Sequence, residues 1–138
     1  IVHGDYRLDN MILRSNEVIG ILDWELSTLG HPIADFSYHC LSWRTQEAFW
    51  DEAKLRELGI PSEKEYMEMY CKYSGKDLSK NWEFYMAFNM FKIAGILQGI
   101  LGRVRDGTAA SRHAEERGNM VFPLSEAAWS TIEENFLK

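Results

Sequence analysis

Cysteine, proline and clustered basic charge are all scarce in this 138-residue chain, and each scarcity removes a class of protein. Two cysteines, Cys40 and Cys71, make neither a disulfide framework nor a metal-ligand spacing, so both read as buried thiols of a reducing compartment. His31, His39 and His113 are scattered without ligand spacing, which leaves no zinc site to propose. Three prolines and dispersed glycines form no linker, repeat or low-complexity segment. Fifteen basic against 21 acidic residues give a net charge of −6, the wrong sign for a nucleic-acid surface, which needs clustered Lys and Arg. No stretch has the pattern of a signal or transit peptide.

What is present is apolar and aromatic. Hydrophobic residues make up 46% of the chain, with five Trp, six Tyr and seven Phe, so a sizeable core is expected in one domain-sized unit.

The informative segment comes first. His3-Gly4-Asp5-Tyr6-Arg7-Leu8-Asp9-Asn10 is followed by two short apolar runs, Met11 to Leu13 and Val18 to Leu22, around the polar turn Arg14-Ser15-Asn16-Glu17. Asp23-Trp24-Glu25 follows. Phosphoryl transfer needs a carboxylate at the attacking hydroxyl and oxygen ligands that hold magnesium on the nucleotide phosphates. Asp5, Asn10 and Asp23 are the right types in the right order. A hairpin centred between Asn16 and Glu17 would place Ile12 opposite Ile21 and Asn10 opposite Asp23. Directly opposed side chains lie about 4.5–5.5 Å apart at Cβ, close enough to share an ion. Magnesium is commonly held by one or two carboxylates plus phosphate oxygens and water, so a sparse Asn/Asp pair suffices.

The pattern His-x-Asp-x-x-x-x-Asn followed by Asp-Trp-Glu resembles the aminoglycoside phosphotransferase and choline kinase superfamily, the small-molecule branch of the protein-kinase-like fold. Ile21-Leu22-Asp23-Trp24-Glu25-Leu26-Ser27-Thr28, Gly30-His31-Pro32 and Ala34-Asp35 are closer still to one subgroup. It is the phosphotransferase domain found alone in bacteria and fused to acyl-CoA dehydrogenases in animals. Ile96-Leu97-Gln98-Gly99 and Arg105-Asp106-Gly107 are similar to that subgroup too.

The resemblance implies roles. Asp5 falls at the base that orients or deprotonates the acceptor hydroxyl, and Arg7 at a basic position near the transferred phosphate. Asn10 and Asp23 fall at the magnesium and nucleotide positions. His3 matches a structural histidine under the loop, and Asp35 an aspartate that braces the loop through backbone N–H groups. Asp23-Trp24-Glu25 departs from the Asp-Phe-Gly of protein kinases and leaves Glu25 without a role. The implied cofactors are Mg2+ and ATP, and the implied partner is a small-molecule hydroxyl acceptor. A hydroxyacyl compound is suggested by kinship; aminoglycosides and amino alcohols such as choline are the alternatives. A third reading is a non-catalytic lobe acting as a binding or structural module.

The expected fold is α+β, mainly helical: residues 1–138 as the C-terminal lobe of a protein-kinase-like domain, with the catalytic-loop hairpin near the N-terminus. No glycine-rich phosphate loop, lysine–glutamate pair or adenine hinge precedes His3, so the N-terminal nucleotide lobe is expected to be missing from this chain, which alone would be inactive. An intracellular, cytoplasmic location is expected, or a mitochondrial or peroxisomal one for an animal fusion protein.

Helices are expected from Pro32 to about Trp43, from the capping box Ser62/Glu65 to Gly75, and from about Asn81 to Arg105. The last of these is apolar nearly all round and long enough to suggest a membrane span of about 20 residues. Asn89, Lys92 and Gln98 interrupt it, so a buried central helix is expected instead, with Gly95 and Gly99 at a close helix contact and Gly107 as its stop. Pro123 should separate a helical stretch at 112–121 from another carrying Ala127, Trp129, Ile132 and Phe136.

Overall fold

The computed structural model describes residues 1–45 and 52–138, and shows a mainly helical chain with one small antiparallel sheet. Strands β1 (Met11–Arg14) and β2 (Glu17–Ile21) are followed by helices α1 (Ile33–His39), α2 (Glu52–Glu57), α3 (Glu63–Ser74), α4 (Trp82–Arg105), α5 (Ala114–Gly118) and α6 (Val121–Phe136). Two compact units, Ile1–Trp82 and Glu83–Lys138, make up the chain.

In the first unit the hairpin turns through Ser15 and Asn16, with Arg14 opposite Glu17 and Ser15 in the left-handed region at φ 55°. This corrects the expected register. Ile12 stands opposite Gly20, Met11 opposite Ile21, and an irregularity between Ile12 and Leu13 leaves Ile19 without a partner. A β-bulge of this kind adds one residue to one strand and shifts every pairing beyond it. Asn10 therefore meets Leu22, whose N–H donates to the Asn10 carbonyl at 2.8 Å, and not Asp23.

Helix α1 opens at Pro32, which has no N–H to satisfy and a φ already suited to the first turn. Its Ile33, Phe36 and Ser37 are buried, and a 3-10 turn (Cys40–Trp43) continues it with Cys40 and Leu41 in the core. Helix α3 starts with the expected capping box: Ser62 Oγ accepts the Glu65 N–H while the Glu65 carboxylate accepts the Ser62 N–H at 2.8 Å. Phe36 of α1 stacks on Tyr70 of α3 with centroids 4.0 Å apart, and Tyr66 and Trp82 pack against the same ring at 5.2 and 5.5 Å. Aromatic pairs at these separations add to what burial alone contributes.

A polar clamp sits beside that cluster. Glu63, first residue of α3, receives Arg44 through Nη2 at 2.6 Å and Nε at 2.9 Å, and the Trp82 indole N–H at 2.8 Å. The pair is mostly sheltered from solvent, so the carboxylate is held in place by donors and not merely screened.

In the second unit, α4 buries Met86, Ala87, Asn89, Met90 and Ala94. Phe84, Phe88 and Phe91 lie on exposed ground, with Phe91 72% exposed. The expectation of a helix buried all round is therefore corrected: one face is covered and the other is open. By length and composition alone this helix could cross a membrane. Among the described residues the expected close contact at Gly95 and Gly99 is absent, since a Cβ at Gly95 would meet nothing within 4 Å and one at Gly99 only Arg103 Nη1 at 3.8 Å. Gly107 ends the helix at φ 69°, its N–H on Val104 O and the Thr108 N–H on Arg103 O, the paired bonds of a Schellman stop. Pro123 lies in the first turn of α6, where its missing N–H costs nothing.

Candidate active site

The segment from His3 to Asn10 is held from three sides. From below, the Asp35 carboxylate in the first turn of α1 accepts the His3 N–H at 2.6 Å and the Gly4 N–H at 2.9 Å. Two adjacent backbone donors on one carboxylate fix the path of the loop as it leaves the Val2–Thr28 bridge. Gly4 has φ +85°, and a Cβ there would fall 2.5 Å from the Leu26 carbonyl oxygen, so glycine is required twice over.

His3 supplies the second hold. It is buried, its Nε2 lies 2.7 Å from the Leu22 carbonyl, and its Nδ1 accepts the Asp5 N–H at 3.2 Å. That pair of bonds places the ring proton on Nε2, where it donates to Leu22. The ring also packs against Trp24 at 4.7 Å, and Trp24 is itself pinned by its indole N–H on the Ile21 carbonyl. One histidine thus joins the loop to the far end of β2.

Asn10 supplies the third. Its side-chain amide donates to the Asp5 backbone carbonyl and to Asp5 Oδ2, both at 2.9 Å. With the NH2 group committed to Asp5, the amide oxygen is the atom Asn10 offers outward.

Asp5 is the point on which these contacts converge. Its Oδ2 also lies 3.6 Å from Arg7 Nε, and the same guanidinium nitrogen is 3.7 Å from the Asp9 carboxylate. Its Oδ1 accepts the hydroxyl of Tyr38 at 2.7 Å. Burial, reinforced by the hydrogen bond and charge of Asp5, pushes the Tyr38 hydroxyl up to about 12, so it stays a donor throughout the physiological range. Tyr38 was not among the residues expected at the site. Its spacing of three from Asp35 puts both on one face of α1, the signal that would have paired them.

Asp23 stands apart from this network. It follows β2 in the left-handed conformation, φ 64° and ψ 56°, which costs energy for any residue with a Cβ but least for Asp and Asn. Its carboxylate is exposed and makes no hydrogen bond or ion pair among the described residues. The structure therefore brings Asp5, Asn10, His3, Arg7 and Asp35 into one connected network and leaves Asp23 near its rim with an uncommitted charge. The donor set offered outward is an amide oxygen from Asn10 and a carboxylate from Asp23, hard oxygen ligands that suit magnesium. No cluster of three His, Cys, Asp or Glu suited to a metal occurs among the described residues.

Residues 1–70 match the model of the phosphotransferase enzyme family. The chain belongs to that family. A solved Ralstonia eutropha JMP134 protein, assigned as an aminoglycoside phosphotransferase, superposes with a TM-score of 0.83 at 48% identity over 96% of this chain and 42% of its own. Acyl-CoA dehydrogenase family member 10 of Mus musculus is 43% identical over 94% of this chain, and family member 11 of Homo sapiens 37% identical over 99%. This chain spans 13% and 18% of those two relatives, so the likeness is to one part of each. The chain's helical architecture, with its two-stranded hairpin near the N-terminus, is that of the C-terminal lobe of a kinase-like fold.

Proposed function

We propose that this chain is the catalytic lobe of an ATP-dependent kinase that moves the γ-phosphate to a small-molecule hydroxyl. The observation that carries the reading is the clamped carboxylate of Asp5, held by Asn10 and Tyr38 on its two oxygens at the centre of an otherwise self-satisfied loop. A base is useful only when its geometry is fixed before the acceptor arrives. Arg7, exposed and already beside Asp5, adds positive charge where phosphoryl oxygens would gather.

Asn10 and Asp23 would hold magnesium, which when bound neutralises phosphate charge and orients the transferred group. The strained backbone at Asp23 fits a role of this kind, because a residue is kept in a costly conformation where its side chain must point one way. His3 and Asp35 act through the loop backbone and touch no reacting atom.

In our reading the chain supplies the half of the cleft that carries base and metal ligands, and the cover over adenine and phosphates belongs to a lobe outside these residues. Similarity to proteins named for acyl-CoA dehydrogenases favours a hydroxyacyl compound over an aminoglycoside or choline. The longest natural form of the protein should be offered labelled ATP with a hydroxyacyl thioester, kanamycin and choline. Transfer to the thioester alone is expected; transfer to kanamycin or choline would redirect the acceptor assignment, and transfer to none would contradict the kinase reading.

A further inference from the structure

We infer that Tyr38 is a positioning residue for Asp5, fixing the plane of its carboxylate and choosing the lone pair that meets the acceptor. The inference rests on the reading of Asp5 as the base.

A carboxylate on a loop can spin about its last torsion, and one donor does not stop it. Asp5 has donors on opposite oxygens: the Asn10 amide on Oδ2 at 2.9 Å and the Tyr38 hydroxyl on Oδ1 at 2.7 Å. Turning the group breaks both bonds at once. The two donors come from different elements, Asn10 from the loop itself and Tyr38 from α1, 33 residues away in sequence. Helix α1 is a firm platform, since Ile33, Phe36 and Ser37 are buried and the Ser37 hydroxyl bonds back to the Ile33 carbonyl at 2.6 Å. The same helix holds the loop backbone through Asp35. It therefore grips the loop at two points, main chain and functional side chain, and sets one against the other.

Tyrosine suits the task. Its reach is long, only two torsions must be ordered, and a phenol held protonated donates one well-directed bond. A productive constellation tolerates displacements of about 0.5 Å, and a misplacement of about 1 Å can cost on the order of 10²-fold in rate. Losing the Tyr38 donor is thus expected to lower turnover without changing how substrates bind.

The test compares Tyr38→Phe, Tyr38→Gln and Asp5→Asn in the longest natural form of the protein, with labelled ATP and a hydroxyacyl thioester, kanamycin or choline as acceptor, whichever gives the highest rate. Tyr38→Phe is expected to lower kcat by about tenfold or more while KM for ATP and acceptor stays within about twofold. Tyr38→Gln keeps a donor and should recover part of the loss; a packing role alone would make Gln the worse replacement. In the Asp5→Asn background, Tyr38→Phe should add no further loss, because the group it positions is gone. Wild-type kcat in Tyr38→Phe, alongside an inactive Asp5→Asn, would overturn this inference alone. Retained turnover in Asp5→Asn would overturn the base assignment and this inference with it.

Discussion

Asp35 accepts the Gly4 N–H at 2.9 Å through Oδ1 while its other oxygen takes the neighbouring N–H of His3, so one helical carboxylate fixes the backbone on which the candidate base is mounted. Removing it takes a charged acceptor from two partly buried donors. Each hydrogen bond to a charged group contributes about 1.5–3 kcal/mol, and the bonds are coupled through one side chain. Asp35→Ala is therefore expected to destabilise the fold by about 2–4 kcal/mol, and Asp35→Asn by less. Urea unfolding of the three proteins checks this; equal midpoints would mean that the loop holds its own shape.

Arg44 and Glu63 make a second, purely structural prediction. Glu63 accepts from both Arg44 and the Trp82 indole, so its loss takes an acceptor from two donors, whereas loss of Arg44 leaves a carboxylate that still has Trp82. Both side chains keep some solvent access, which moderates the cost of a stranded charge. Arg44→Met is expected to cost about 1–3 kcal/mol, Glu63→Leu more, and the double variant less than the sum. Additive losses in a thermal double-mutant cycle would show that the clamp is not a unit.

His39 sets a direction for the pH dependence of stability. Burial lowers its value in the folded protein, with its ring packed between Tyr6 and Tyr66. Below about pH 6.5 the unfolded chain takes the proton more readily, so its unfolded form binds more protons and stability falls as the pH is lowered. The contribution is complete above that point and is lost as pH drops through the lowered folded-state value. His39→Gln is expected to flatten the slope of stability between neutral and mildly acidic pH. Parallel slopes in the two proteins would assign the acid sensitivity to other groups.

The local arrangement of the candidate site was partly legible because its signals lie close together in sequence. Asp5, Asn10 and Asp23 sit within one loop and hairpin, and the Ser62 capping box lies within four residues. The register was not legible. A two-residue turn and an unpaired Ile19 move Asn10 opposite Leu22, and the one available hint was Gly20, since a glycine inside a strand often marks a bulge. Tyr38 shares a face of α1 with Asp35, but its bond to Asp5 was not legible, because that partner lies 33 residues away and only the packing of α1 brings them together. Helix α4 reads as buried from composition, yet Phe84, Phe88 and Phe91 face outward, since composition does not say which face finds a neighbour.

Asn10 and Asp23 should fail differently. Asp23→Asn removes the full charge offered to magnesium while keeping a residue type that tolerates the left-handed backbone. It is expected to raise the magnesium concentration needed for half-maximal activity by about tenfold or more, with little change in kcat at saturation. Asn10→Ala also removes the amide donor that holds Asp5 Oδ2, so kcat should fall even in excess magnesium. Magnesium titrations of the two variants that coincide would contradict this division of labour.

The central claim is that Asp5 is the base. Asp5→Asn preserves shape and removes the charge, so folding and nucleotide affinity should persist while turnover falls by at least about 10²-fold, the scale of general-base catalysis. The decisive measurement is single-turnover phosphate transfer from labelled ATP by the longest natural form of the protein, wild type beside Asp5→Asn. A loss of about 10²-fold or more with unchanged ATP binding is the predicted result. Transfer at close to the wild-type rate by a folded Asp5→Asn protein would contradict the account.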